Sequence, residues 1–133
     1  MGARLRTALA ALALALSLSG CQAWLHLPQI GLHRPIVVGG QATIDAGNVT
    51  QVYPNLLAAH RSTHGSTFHA LPALGVGSRF HTTGFKGKPV QEWVVVNRLV
   101  TSSHSASLLS GWPLVLQTSL PNGQLLLLFC RPV

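Results

Sequence analysis

The sequence predicts an all-β domain, and two patterns support that prediction. Proline, glycine and β-branched residues interrupt the chain about every eight to twelve positions, which is typical of sandwiches and barrels built from short strands. The segment Pro121-Asn122-Gly123 separates two apolar runs, and Asn-Gly favours the tight turn of a β-hairpin. We therefore expect a closed or partly open β-barrel with short helical turns.

The first half of the domain contains three strand signals. Apolar and polar residues alternate from Trp24 to Ile30, which predicts a strand with one buried face. A β-branched run follows from Pro35 to Val38 and ends at two glycines. A further short apolar run, from Asn55 to His60, leads into a histidine-rich segment.

The middle of the chain predicts one ambiguous segment and one hairpin. Phe68, Leu71 and Leu74 are spaced three apart, as on a helical turn, so the segment from Gly65 to Leu74 could be helical. Strands are predicted from Ser78 to Thr82 and from Val90 to Val100, joined by a turn at residues 84–88.

The last hairpin is the clearest local signal. Pro113–Thr118 and Gln124–Cys130 flank the Asn-Gly turn. This arrangement predicts that Cys130 lies at the end of a strand, where its side chain projects into a groove.

The first 20 residues indicate an export signal. Arg4 and Arg6 precede a short Ala/Leu-rich stretch, which is too short for a typical membrane-spanning helix. Leu18-Ser19-Gly20-Cys21 resembles the lipobox of bacterial lipoproteins, so we expect Cys21 to be lipidated and residues 21–133 to form one exported domain facing the extracytoplasmic side of the membrane. An ordinary signal peptide, an uncleaved anchor and a Cys21–Cys130 disulfide are the alternatives.

The charge balance excludes several classes of function. After the signal, seven Lys or Arg residues are scattered along the chain against only Asp45 and Glu92. A glycosidase would need Asp45 and Glu92 together as its pair of carboxylates, and a hard-cation site needs more acidic ligands than these two, so the composition argues against both classes. Dispersed positive charge without a motif argues against nucleic acid as a partner. Attraction to anionic wall polymer or lipid headgroups remains compatible with this composition.

Two residues are the main candidates for chemistry. Cys130 becomes a nucleophile if a base takes its proton or its thiolate is stabilised, and His60 is a candidate base. A free cysteine is also among the residue types most often buried, so an inert Cys130 is the alternative. We expect no metal site, because His60, His64 and His69 have no carboxylate near them in sequence, and we expect no cofactor.

The order of several segments resembles the sortase family. Leu27-Pro28-Gln29-Ile30-Gly31 is similar to the sortase opening Ile-Pro-x-Ile-Gly, and the segment from Ala59 to Phe68 is similar to Gly-His-Arg-x-Thr-His-Gly-x-x-Phe. Leu71–Gly77 follows where sortases have Leu-x-x-Leu-x-x-Gly. Gln124–Cys130 aligns with the sortase strand that ends in Thr-Leu-x-Thr-Cys.

The resemblance implies a cysteine transpeptidase with a β-barrel of about eight strands. Cys130 would attack a peptide sorting signal and form a thioacyl intermediate, and His60 would protonate the leaving amine. An amine acceptor or water would then release the product. In the family an arginine on the strand after the cysteine steadies the substrate and the oxyanion.

Only three residues follow Cys130, so this alignment predicts that the final arginine-bearing strand is lacking. Arg131 would point to the opposite face from Cys130 and cannot take the arginine's role. The first hypothesis is therefore a lipid-anchored thiol transpeptidase or peptidase. The alternative is a non-catalytic sortase-like lipoprotein that binds peptide, cell wall or a protein partner.

Overall fold

The computed structural model describes residues 22–61, 67–103 and 106–133. Within these segments the chain forms eight strands and one short helix, α1 (Gln41–Asp45). The strands are β1 (Trp24–Leu27), β2 (Leu32–Val38), β3 (Val49–Tyr53), β4 (Leu56–Ala58), β5 (Arg79–Phe85), β6 (Lys88–Thr101), β7 (Leu114–Ser119) and β8 (Leu125–Pro132). Single 3-10 turns occupy Pro28–Ile30, Leu71–Ala73 and Ala106–Leu109.

The strands close into a barrel in the order β1-β2-β3-β4-β7-β8-β6-β5, which confirms the predicted fold class. β2 runs parallel to β3 and β4 runs parallel to β7, whereas the other neighbours are antiparallel. None of the helices in the described segments is long and apolar enough to span a bilayer.

The barrel interior holds the main core. Leucines from five strands meet there with the rings of Phe68, Phe80, Phe85 and Trp93. The buried indole N–H of Trp93 donates to the Thr82 hydroxyl at 2.9 Å, which satisfies the one polar atom of that ring.

Local differences from the predicted elements have simple causes. β1 ends at Leu27 because Pro28 begins a 3-10 turn, where its missing N–H costs no hydrogen bond. The ambiguous segment contains only the 3-10 turn Leu71–Ala73 among its described residues. In the last hairpin Gly123 alone takes a positive φ of 83°, and its N–H donates to Leu120, so the turn is longer than a two-residue Asn-Gly turn.

The prediction that the barrel lacks its last strand is wrong. β8 continues past Cys130 to Pro132 and pairs with both β7 and β6, which closes the barrel. β4, which leads into His60, pairs with β7, whereas Cys130 lies on β8.

Candidate functional site

Cys130 lies inside the barrel rather than in a groove. It pairs with Leu114 of β7 and with Val95 of β6, and its side chain is completely buried among core leucines. Burial raises the pKa of the Cys130 thiol to about 12. The thiol therefore remains protonated near neutral pH, and its closest polar partner is the Leu128 carbonyl at 3.5 Å.

His60 lies near the other end of β7. Ala58, two residues before His60, is level with Gln117, and the Thr118 hydroxyl donates to the Ala59 carbonyl at 2.8 Å. Cys130 pairs with Leu114, which lies four residues before Thr118 in β7. Four residues of a strand span roughly 13 Å, so Cys130 and the His60 end of β7 are about that far apart along the strand. The structure therefore does not bring the predicted pair together. The reason is strand register, which sequence motifs alone do not fix.

His60 is instead held by a carboxylate that the sequence did not connect with it. Its Nε2 lies 2.7 Å from Oδ1 of Asp45, the last residue of α1, and the His60 side chain is 21% exposed. Gln41, one turn earlier, donates to the same carboxylate oxygen at 2.8 Å. A carboxylate in this position fixes the orientation of the imidazole ring. His64 and Cys21 lie outside the described residues.

The end of β7 presents a hydroxyl beside His60. Side chains alternate along β7, so Leu114, Leu116 and Thr118 point inward, whereas Val115, Gln117 and Ser119 point outward. Ser119 is exposed and lines the same hollow as His60.

A continuous groove crosses the outer face of β4, β7 and β8. Two adjoining hollows share Gln41, Ile44, Gln117 and Leu125, and together they extend from His60 to Leu109. The far part is lined largely by apolar side chains: Val52, Tyr53, Leu56, Leu108, Leu109 and Leu127. Among the described residues that line either hollow, none is an arginine or a lysine.

The groove-facing residues of β8 are apolar. Leu125 pairs with Ser119 and Leu127 with Gln117, and both leucines are buried at the groove floor. Arg131 lies toward the opposite end of the strand, where its guanidinium stacks on Trp112 at 4.6 Å from the ring centroid. Arg131 is therefore not available at the His60 end.

Solved sortase structures have the same fold. The lid mutant of sortase A from Corynebacterium diphtheriae matches with a TM-score of 0.73 and 20% identity, over 85% of this chain and 70% of that chain. Sortase C-1 from Actinomyces oris matches with a TM-score of 0.69 and 21% identity, over 84% and 71%. This chain has the sortase fold. No protein-family model matches the sequence, and no curated protein matches it significantly.

A third match is Pilus Island 1 sortase C2 from Group B Streptococcus, with a TM-score of 0.71 and 22% identity, over 84% of this chain and 74% of that chain. The sequence of β7 partly matches the sortase motif Thr-Leu-x-Thr-Cys. Val115-Leu116-Gln117-Thr118-Ser119 matches it at Leu116 and Thr118, with valine in the first position and serine in the last. This partial match, which ends in serine, is the sequence feature that points to Ser119.

Burial predicts an unreactive Cys130 in the folded protein. In a Cys21→Ser background, labelling of Cys130 by a small maleimide at pH 7 should be on the order of 100-fold slower than in denaturant, because reaction requires the core to open. The matched control is Cys21→Ser/Ser119→Cys, which adds an exposed thiol and should label rapidly. Fast labelling of folded Cys130 would contradict its placement in the core.

The raised pKa of Cys130 also predicts a loss of stability in alkali. Between pH 9.0, the ordinary value, and about 12, the unfolded chain releases the thiol proton while the folded chain retains it. This group's contribution to the free energy of unfolding is therefore complete below pH 9 and declines as the pH rises toward 12. Urea titrations of wild type and Cys130→Ala should converge over that range, and a constant difference would contradict the assignment.

Proposed function

We propose that this sortase-fold domain binds an extended peptide in the outer-face groove without thiol transpeptidation. One observation carries the proposal: Ser119, not a cysteine, ends the strand beside His60, while Cys130 is enclosed in the core. Of the two hypotheses from the sequence, the non-catalytic one therefore fits the geometry better.

The lining of the groove suits a peptide with apolar side chains. Leu56, Leu125 and Leu127 supply apolar contact area along the floor, where each buried methylene of a ligand contributes about 0.8 kcal/mol. The amides of Gln41 and Gln117 lie between the two hollows. They can donate to or accept from the backbone of an extended chain, which otherwise would lose hydrogen bonds to water.

Among the described residues that line this groove, two of the groups that thiol transfer requires are missing. A thioacyl intermediate needs an accessible thiol that ionises, and the pKa of Cys130 is raised to about 12 by burial. An oxyanion needs a preorganised donor, yet β8 faces Ser119 with the aliphatic Leu125. Both deficits favour binding over transfer.

A second candidate function, serine-dependent acyl hydrolysis, is favoured by the 2.7 Å contact between His60 and Asp45. Ser119 Oγ would attack an ester or amide carbonyl, and His60 would take the hydroxyl proton and give it to the leaving group. Water would then release the acyl group from Ser119. Asp45 would hold the imidazole ring in orientation, which is the logic of a Ser-His-Asp triad.

A fluorophosphonate probe separates the two functions. The binding proposal predicts no adduct by intact-protein mass spectrometry, for wild type and for Ser119→Ala alike. A stoichiometric adduct on the wild type that is lost in both Ser119→Ala and His60→Ala would instead establish the serine hydrolase. A trypsin sample treated in parallel confirms that the probe is active.

Filling the groove should weaken peptide binding. Peptides selected from a random library against the wild-type domain should bind Gln117→Trp at least about tenfold more weakly, or roughly 1.4 kcal/mol, because the indole occupies the centre of the groove. Val90→Trp, at an exposed outer-face residue of β6 that lines neither hollow, is the matched control and should retain the affinity. Fluorescence polarisation measures both, and equal binding by both variants would exclude the groove.

We further propose that Cys21 carries the lipid anchor that holds the domain on the extracytoplasmic side of the bacterial membrane. The motivation is Leu18-Ser19-Gly20-Cys21 after a short apolar stretch. In a bacterial host, wild type and Cys130→Ser should incorporate radiolabelled palmitate and partition into the detergent phase of Triton X-114. Cys21→Ser should do neither, and labelled Cys21→Ser protein would disprove the assignment.

A further inference from the structure

Three histidines stand side by side on the outside of the barrel, away from the groove. His26 of β1 is directly opposite His33 of β2 and directly opposite His81 of β5. Cross-strand partners of this kind have Cβ atoms about 4.5–5.5 Å apart on the same face of the sheet. The residues beside His26 in β1, Leu25 and Leu27, are in the core, so His26 points outward.

The row continues onto a fourth strand. Glu92 of β6 is directly opposite His81, so the order across the sheet is His33, His26, His81, Glu92. Glu92 is one of the two carboxylates in the chain, and the other, Asp45, contacts His60. The fold therefore collects three imidazoles and a carboxylate at one level of the sheet, although they are distant in sequence.

The first two histidines share a hydrogen bond between ring nitrogens, and a metal ion could take its place. Nδ1 of His26 and Nδ1 of His33 are 2.5 Å apart, and Nε2 of His26 lies 3.1 Å from the Thr83 hydroxyl. When Nε2–H donates to Thr83, the lone pair of His26 is on Nδ1 and faces His33. A hydrogen bond to the outer nitrogen is the usual means of orienting a metal-binding imidazole. A tetrahedral ion with bonds of about 2.0–2.1 Å needs its nitrogens roughly 3.4 Å apart, so the two rings must separate by about 1 Å when the ion replaces the shared proton.

The His81 ring does not face the other two histidines in a way that would let all three bind one metal ion. His81 stacks on His26 with ring centroids 4.3 Å apart and an interplanar angle of 7°, so its nitrogens do not point at the same place. Accordingly, no group of three or more His, Cys, Asp or Glu among the described residues is preformed for a metal. A three-histidine site therefore requires the half-buried His81 side chain to rotate about its own bonds until one of its nitrogens faces the Nδ1 pair.

We propose that His26, His33 and His81 bind a first-row divalent metal ion of the zinc and copper class. Imidazole suits zinc, copper and nickel, whereas calcium and magnesium require several oxygen ligands that this surface does not offer. Three histidines with a water molecule in the fourth position is an established zinc coordination. In this site Glu92 does not bind the metal; its carboxylate accepts a hydrogen bond from the ring N–H of His81 that does not face the metal.

Calorimetric titration of the full chain with Zn²⁺ tests the proposal. Saturable binding of one equivalent is expected for the wild type. Affinity should fall by roughly 100-fold or more in His26→Gln and in His33→Gln, because each variant loses a direct ligand, and loss of an outer-shell partner alone costs about 10- to 100-fold. His33 is exposed, so His33→Gln remains informative if His26→Gln does not fold, and circular dichroism without metal checks both. His69→Gln, at an exposed histidine outside the row, is the matched control and should bind as the wild type does.

Two results would overturn the site. One is the absence of saturable Zn²⁺ binding by the wild type, and the other is undiminished binding by His33→Gln. Quenching of tryptophan fluorescence by Cu²⁺ supplies an independent measure, because Trp24 stacks on His33 at 4.8 Å between ring centroids. Wild type should lose more fluorescence on Cu²⁺ addition than Trp24→Phe does, and equal losses would count against copper at this row.

Discussion

The pairing of β4 with β7 is the constraint on which the groove depends. The parallel register sets Ala58 level with Gln117, and the Thr118 hydroxyl then bonds the Ala59 carbonyl just beyond the strand. These bonds bring the start of the histidine segment to the end of β7, so that His60 and Ser119 line one hollow. Shifting this register by one residue would exchange the inward and outward faces of β7 and remove both the groove and part of the core.

Successive side chains of β8 point to opposite faces of the sheet, so this one strand contributes both to the barrel core and to the apolar cluster outside it. Leu126, Leu128 and Cys130 point into the barrel, whereas Leu127 and Phe129 pack on the outer face under the loop that carries Trp112. A strand covered on both sides reads as a continuous apolar run rather than an alternating one. Because both faces of β8 are packed, the Cys130 thiol is shielded from water and the floor of the groove is apolar.

The few carboxylates of this chain occur beside histidines. Asp45 contacts His60 at one end of the groove, and Glu92 is level with His81 in the histidine row of β1, β2 and β5. The groove lies on β4, β7 and β8, whereas the histidine row lies on β1, β2 and β5, which are elsewhere in the barrel. A ligand in the groove therefore leaves the histidine row accessible, and the reverse also holds.

The sequence by itself determined the fold class, most strand positions and the last hairpin. These follow from local periodicity, turn chemistry and motif order, which depend on neighbouring residues. Which residue lies beside His60 was decided only by the tertiary structure, because strand register brings Ser119 there and encloses Cys130 in the core. The contact of Asp45 with His60 and the row of His26, His33 and His81 likewise arise from pairing between distant segments, which no local pattern encodes.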